Sequence, residues 1–335
     1  MHQIPEDHTG PGLVDIQVNG YAGLDFNGDP DRWTAEAWRD AAERMRNRGV
    51  VTALPTLVTD DPDRMVDRAR RYAELVEEDG RLGEHYPRLH VEGPFVSPED
   101  GPRGAHPREH CTTPTEYPEL LEDLHRVSGK RLALFTLAPE LDGAMEVIER
   151  CAELRICPAI GHTGAARETL ERAVRTGARL SSHLGNGSHQ KLPRLDNYVQ
   201  TQLADDRLMA SFIGDGHHMP FSTLQNFLRA KTPARSILIT DAIPAAELGA
   251  GRYRFGGQQV EVNEQGRAAP PGAPHLAGST LTMDRAVLNV ARHCHIPWQE
   301  AWAMASTHPA DLLELSPPEE VTVRVKEDRF ELLHA

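Results

Sequence analysis

Residues 156–164 read Ile156-Cys157-Pro158-Ala159-Ile160-Gly161-His162-Thr163-Gly164. A short apolar run stops at a polar end flanked by glycine, and an amphipathic pattern from Ala165 to Thr176 follows. The run is too short for a helix and leads into a helical period, so it predicts a strand feeding a helix. The unit then begins again, with Arg179 to Ser182 running into His183-Leu184-Gly185-Asn186. Working outward, the same rhythm predicts strands near Leu13 to Val18, Val50 to Leu54, Arg88 to Val91, Leu132 to Phe135, Leu208 to Ile213 and Ser236 to Ile239. Helical patterns lie between them at Thr34 to Arg48, Pro62 to Glu77, Gly143 to Glu153 and Phe221 to Ala230.

Eight such units close most naturally into an α/β fold of the (β/α)8 barrel type, with a doubly wound open sheet as the alternative. The barrel is expected over residues 1–315. A hairpin near residues 252–262 turns at Gly256-Gly257, ahead of a last barrel helix from Met283 to His293. Helical segments around Trp298 to Ala305 and Pro309 to Leu315 come next. Residues 316–335 form a tail whose alternation from Val321 to Leu333 predicts a small strand pair.

The strand ends carry the chemistry, because a barrel gathers its site at the C-terminal edge of its strands. Six of the eight run into polar groups: Gln17-Val18-Asn19, Glu92-Gly93-Pro94, Gly161-His162-Thr163, His183-Leu184-Gly185-Asn186, Asp215-Gly216-His217-His218 and Thr240-Asp241-Ala242. Singly, each has a bland explanation. Glu92 could pair with an arginine, His162 could cap a loop, His183 could bond a core carbonyl, and Asp241 could cap a turn. Jointly, Glu92, His162 and His183 supply one carboxylate and two imidazoles, three ligands that leave a fourth position of a metal open to water. The neighbouring glycines, among them Gly93, Gly161, Gly185 and Gly187, allow tight turns and close approach to a ligand.

Composition narrows the field. The 335 residues weigh 37.1 kDa and hold 36 Lys plus Arg against 50 Asp plus Glu, a net charge of −14 that disfavours nucleic acid. No apolar run approaches the roughly 20 residues of a membrane span, and the start MHQIPEDHTG lacks an apolar signal core, so a cytoplasmic protein is expected. Four cysteines show no CxxC pair and read as reduced thiols. The 17 histidines matter only where they fall. His293-Cys294-His295 looks like a cluster but ends a helical pattern, where imidazolium complements the helix dipole. Asn186-Gly187-Ser188 matches a glycosylation acceptor, of little weight without export. HExxH, P-loop and GxSxG motifs are absent.

In order along the chain stand PGLVDIQVNGYAGLDFN, HVEGPF, GAHP, GHTGA, SHLGNG, DGHH, TDA and LAGSTLTMDRAV, spanning roughly Pro11 to Leu315. On these blocks the sequence resembles the N-acetylglucosamine-6-phosphate deacetylases of the amidohydrolase superfamily. The resemblance implies an acetamide-hydrolysing enzyme with one divalent metal, zinc or iron, on Glu92, His162 and His183, and Asp241 as catalytic acid and base. It implies one metal rather than two, because Gln17-Val18-Asn19 stands where many amidohydrolases carry His-x-His. It further implies that His106 binds or polarises the acetamide, that Asn186 and Gly187 meet the sugar, that Arg194 and His218 serve the phosphate, and that the enzyme is a homodimer. Local positive groups for a phosphate would come from His106, Lys191, Arg194 and His218. The β-sandwich that usually flanks such barrels is expected to be missing or vestigial. An unphosphorylated N-acetyl sugar, another N-acyl compound, or a non-catalytic ligand-binding barrel remain as alternatives.

Overall fold

The computed structural model describes residues 4–273 and 275–335. Eight strands follow one another around a single sheet: Leu13–Val18, Val50–Val58, Leu89–Glu92, Leu132–Leu137, Cys157–Ile160, Leu180–Ser181, Met209–Ile213 and Ser236–Ile239. All neighbouring pairs are parallel. The sheet closes where the eighth strand meets the first. Asp241 N donates to Gln17 O at 2.9 Å, Asn19 N donates to Ala242 O at 2.7 Å, and Val18 bridges to Ala242. This closure makes the fold a (β/α)8 barrel and excludes the open sheet.

Burial on both faces explains the nearly continuous apolar runs: every residue of Leu13–Val18 and of Leu132–Leu137 is buried. The helices carry the start signals the sequence offers. Thr34 accepts from Ala37 N ahead of Ala35–Arg46, and Asp61 accepts from Asp63 N and Arg64 N ahead of Pro62–Glu78. Inside the barrel, His90 bonds Thr136 Oγ1 at 2.8 Å and Thr56 Oγ1 at 3.2 Å, and burial pushes its pKa down to about 4. It is a neutral core imidazole, two residues from Glu92 and therefore on the same side of the strand.

Three smaller elements frame the barrel. The hairpin pairs Gly251–Phe255 with Gln258–Val262 about Gly256-Gly257, both at positive φ as a tight hairpin turn requires, and Ala268–Ala269 adds a third strand. Its apolar face buries Val260 and Val262 against Ile243 and Ala245, next to the segment that carries Asp241. Gln258 Nε2 reaches Ala105 O at 3.5 Å. At the chain ends, Glu320–Val325 and Phe330–His334 form the strand pair of the tail, and Asp7–Pro11 joins it as a third strand. Both termini thus contribute to one small sheet. His293 ends its helix stacked on Phe221 with ring centroids 4.5 Å apart, and Cys294 is buried beside it. Among the described residues, no helix is long and apolar enough to cross a membrane.

Asp15 locks the closing seam. Its carboxylate accepts from Thr240 Oγ1 at 2.5 Å and Thr240 N at 3.3 Å, yet burial pushes its pKa up to about 7, with the nearby Asp241 adding to the rise. Between the ordinary value of 3.8 and about 7 the folded chain holds the extra proton. The stability contributed by this group is therefore full below that window and is lost as pH rises through about 7, a difference of roughly 4 kcal/mol. Asp15→Asn should remove this dependence. Thermal melts at increasing pH should show the variant gaining on the wild type from about pH 4 up to about pH 7 and keeping a constant lead above it, and parallel curves across that window would contradict the assignment.

Candidate active site

The barrel strands deliver the polar groups to one mouth by a repeated local device. Glu92 is the last residue of its strand, whereas His162, His183 and Asp241 each stand two residues beyond theirs. At those three positions the backbone is left-handed, with φ of 51°, 28° and 50°, a conformation that non-glycine residues adopt at a cost. Three such residues around one mouth mark where the fold holds strained backbone in place. A small neighbour makes the crowding possible: a Cβ on Gly187 would stand 2.7 Å from His162 Nδ1.

Four side chains converge there. His183 Nε2 lies 2.7 Å from Glu92 Oε1, His162 Nε2 lies 3.3 Å from the same oxygen and 3.1 Å from His183 Nε2, and His106 Nε2 lies 3.1 Å from His162 Nε2. One ligand atom each from Glu92, His106 and His162 falls within 4.8 Å of the others. Among the described residues no arginine pairs with Glu92, whose partners are His183, His162 and Gln17. Its carboxylate is held well below the usual range: burial would raise it, but the imidazoles of His183 and His162 outweigh that.

The outer partners of these rings decide what each can do. His162 Nδ1 lies 2.8 Å from Pro102 O, which only accepts, so the proton sits on Nδ1 and Nε2 presents a lone pair to the cluster. This is the ligating form of imidazole. A buried carboxylate and imidazole nitrogens 2.7–3.3 Å apart make a donor set suited to a divalent cation.

Asp241 stands beside this group. Asn19 Nδ2 donates to its Oδ1 at 2.7 Å, and Gln17 Nε2 donates to the same oxygen at 3.4 Å and to Glu92 Oε1 at 3.0 Å. Ser182 Oγ donates to Gln17 Oε1 at 3.0 Å and so turns the amide NH₂ toward the two acids. Burial raises the pKa of Asp241, and the charge of Glu92 adds to it.

The other expected residues divide into two groups. Asn186 is half-buried, its Nδ2 on His183 O at 3.0 Å, and Gly187 packs on His162. His218 bonds Asp215 Oδ2 through Nδ1 at 2.7 Å; burial works against the Asp215 carboxylate, but His218 and two backbone N–H groups hold it below its usual range. Lys191 and Arg194 lie exposed on the segment after Gly187, outside the cluster. His106 is not a group for a phosphate at the mouth: its ring is buried, Nδ1 on Thr59 Oγ1 at 2.7 Å and Nε2 on His162, and burial together with His162 keeps its pKa well below the ordinary value. Sequence reasoning did not single out Thr59, Ser182 or the Pro102 carbonyl. Thr59 directly follows the second strand and Ser182 precedes His183, so strand-end position was the available signal for both.

A closed parallel barrel with carboxylate, imidazoles and an aspartate at the C-terminal mouth is the architecture of the amidohydrolase class. No family model matches the chain. It is 35% identical over 319 residues to the N-acetylglucosamine-6-phosphate deacetylase of Homo sapiens, covering 91% of this chain and 74% of that protein. It is 33% identical over 304 residues to the N-acetylgalactosamine-6-phosphate deacetylase of Escherichia coli O157:H7, covering 90% and 77%. Among solved structures, the N-acetyl-D-glucosamine-6-phosphate deacetylase of Mycobacterium smegmatis, a mutant in complex with N-acetyl-D-glucosamine-6-phosphate, superposes with a TM-score of 0.85 at 25% identity, covering 97% of this chain and 87% of that one. The chain belongs to the N-acetylglucosamine-6-phosphate deacetylase family of the amidohydrolase superfamily.

Proposed function

We propose that this protein hydrolyses the acetamide of an N-acetylated amino sugar phosphate, N-acetylglucosamine 6-phosphate foremost, to the free amine and acetate. The observation that carries this is the convergence of Glu92 Oε1, His162 Nε2 and His183 Nε2 within 3.3 Å of one another, beside a buried aspartate. Glu92, His162 and His183 would hold one divalent cation, zinc in our reading. Such a cation lowers the pKa of a coordinated water toward about 7 and polarises a carbonyl. The seat next to Asp241 is lined by the N–H groups of Gln17 and Asn19, which donate and do not ligate, and this favours one cation over two.

The protein's own groups supply the rest. An acetamide resists attack because its carbonyl is a poor electrophile and its amine a poor leaving group. Asp241, fixed by two amides and with a raised pKa, is suited to take the proton of the attacking water and return it to the departing nitrogen. His106, neutral and buried, faces the same space and would hydrogen-bond the carbonyl oxygen as negative charge develops. Asn186 and Gly187 would meet the sugar, with His218 and Arg194 on the phosphate.

Acetate release from N-acetylglucosamine 6-phosphate, compared with unphosphorylated N-acetylglucosamine and with metal content measured on the same sample, tests the reading. We expect turnover of the phosphate ester that is lost on chelation and restored by zinc. A metal-replete protein releasing no acetate from either compound would sink it. Arg194→Ala should raise KM for the phosphorylated sugar about tenfold, the equivalent of one charge-assisted contact, and leave the unphosphorylated analogue unchanged. Equal effects on both would favour a neutral N-acetyl substrate. The reading extends to a cytoplasmic homodimer, in keeping with four unpaired cysteines, three of them buried; light scattering of the purified protein checks the dimer.

A further inference from the structure

We infer that Ser279 is a positioning residue for Asp241: its backbone and hydroxyl together grip three residues of the turn that carries the acid and hold that turn in its left-handed form. The inference rests on the deacetylase reading for its catalytic meaning, while the grip itself follows from the packing of the segment.

The stretch Leu276-Ala277-Gly278-Ser279-Thr280 brings neither a metal ligand nor a charged group to the mouth. It brings a pairing edge instead. The seventh and eighth strands pair as far as Ile213 and Ile239. Beyond that point Thr240-Asp241-Ala242 is held on one side by the first strand, with Asp241 N donating to Gln17 O at 2.9 Å and Asn19 N to Ala242 O at 2.7 Å. Ser279 takes the side that the seventh strand leaves. Its N–H donates to Asp241 O at 2.9 Å, Ile243 N donates to its carbonyl at 3.0 Å, and Ala242 and Ser279 form a parallel bridge. Its hydroxyl donates to Thr240 O at 2.5 Å and accepts from Leu281 N at 3.1 Å, so the side chain adds a third tie, one residue ahead of the backbone pair.

The strain at Asp241 explains the need for such a grip. With φ of 50°, it keeps a conformation that a non-glycine residue holds only where its surroundings over-determine it. Its N–H is fixed by the first strand and its C=O by Ser279, so both polar groups of its backbone are committed. The amides of Asn19 and Gln17 meet the carboxylate at Oδ1, and the backbone sets the direction from which it reaches them. Gly278 makes the close approach possible: its φ is +63°, and a Cβ there would stand 2.4 Å from Ile243 Cγ2 and 3.0 Å from Asp241 O. Ser279 and Thr240 are both buried, so loss of the hydroxyl leaves a buried carbonyl short of a donor. The segment is anchored in turn to the hairpin sheet, Ala277 N on Ala268 O at 3.3 Å and Thr280 Oγ1 on Gly266 O at 2.8 Å. The hairpin sheet thereby supports the acid from outside the barrel.

Ser279→Ala keeps the two backbone ties and removes the third, and Ser279→Thr keeps all three. In the zinc-loaded protein acting on N-acetylglucosamine 6-phosphate, we expect Ser279→Ala to lower kcat by about 10–100-fold, the cost of a misaimed catalytic group, with KM and zinc content at the wild-type level. Ser279→Thr should recover most of that loss. A fall shared with KM and zinc content would mark a merely structural residue and overturn the role, as would an alanine variant as active as the wild type or a threonine variant as impaired as the alanine one. Amide hydrogen exchange of the wild-type protein gives a readout that needs no variant: the N–H groups of Ser279 and Ile243 should exchange as slowly as those of the barrel strands. Exchange at the rate of an exposed loop would overturn the inference. If the wild type hydrolyses no N-acetylated amino sugar phosphate, or Asp241→Asn matches the wild type, the deacetylase reading or the assignment of Asp241 fails by itself, and the exchange measurement alone decides whether Ser279 grips the turn.

Discussion

Asp241→Asn should abolish acetate release while leaving the metal content at the wild-type level. The substitution preserves the shape of the side chain, and an amide oxygen at the same place still accepts from Asn19 Nδ2 and Gln17 Nε2, which now lie 2.7 and 3.4 Å away. It removes the basic oxygen that can take a proton from water and return it to nitrogen. Removing a positioned acid and base costs about 10²–10⁴-fold in kcat. The check is paired: steady-state acetate release and metal analysis on the same preparation. A variant within a few-fold of the wild type, by about the same measure of a catalytic base, would mean that another group shuttles the proton.

His183→Ala should fail one step earlier. His183 Nε2 is the nearest neighbour of Glu92 Oε1, at 2.7 Å, and its loss leaves a buried carboxylate with His162 at 3.3 Å and the Gln17 amide at 3.0 Å. Two donors of the three would remain, too few to close a tight site for a divalent cation. We expect purified His183→Ala to contain little metal and to show no turnover, with neither restored by stoichiometric zinc. A fully metal-replete and active variant would remove His183 from the ligand set and leave Glu92, His106 and His162 as the alternative group.

Much of this was legible in the sequence because the signals are local. An apolar run with a polar, glycine-flanked end predicts both a strand and what it presents, and Glu92, His162, His183 and Asp241 were found that way. The strand of Leu180–Ser181 is shorter than its sequence suggests, because the chain leaves the sheet early to turn through the left-handed His183. What was not legible depends on distant partners. Asp7–Pro11, with glycine and proline and little alternation, carries no strand signal of its own, and is a strand by pairing with Glu320–Val325 at the other end of the chain. His106 lies on a loop rather than at a strand end, so periodicity says nothing of it, and the hydroxyl it bonds belongs to a residue 47 positions earlier. Lys191 and Arg194 carry the charge a phosphate needs, but sequence alone gives no direction to an exposed side chain.

Crystals of the zinc-loaded protein measured on both sides of the zinc absorption edge would test the central claim most directly. The account predicts one anomalous peak per chain, in contact with Glu92, His162 and His183 and facing Asp241. No peak at that position, or a second one lodged between Gln17, Asn19 and Asp241, would contradict it.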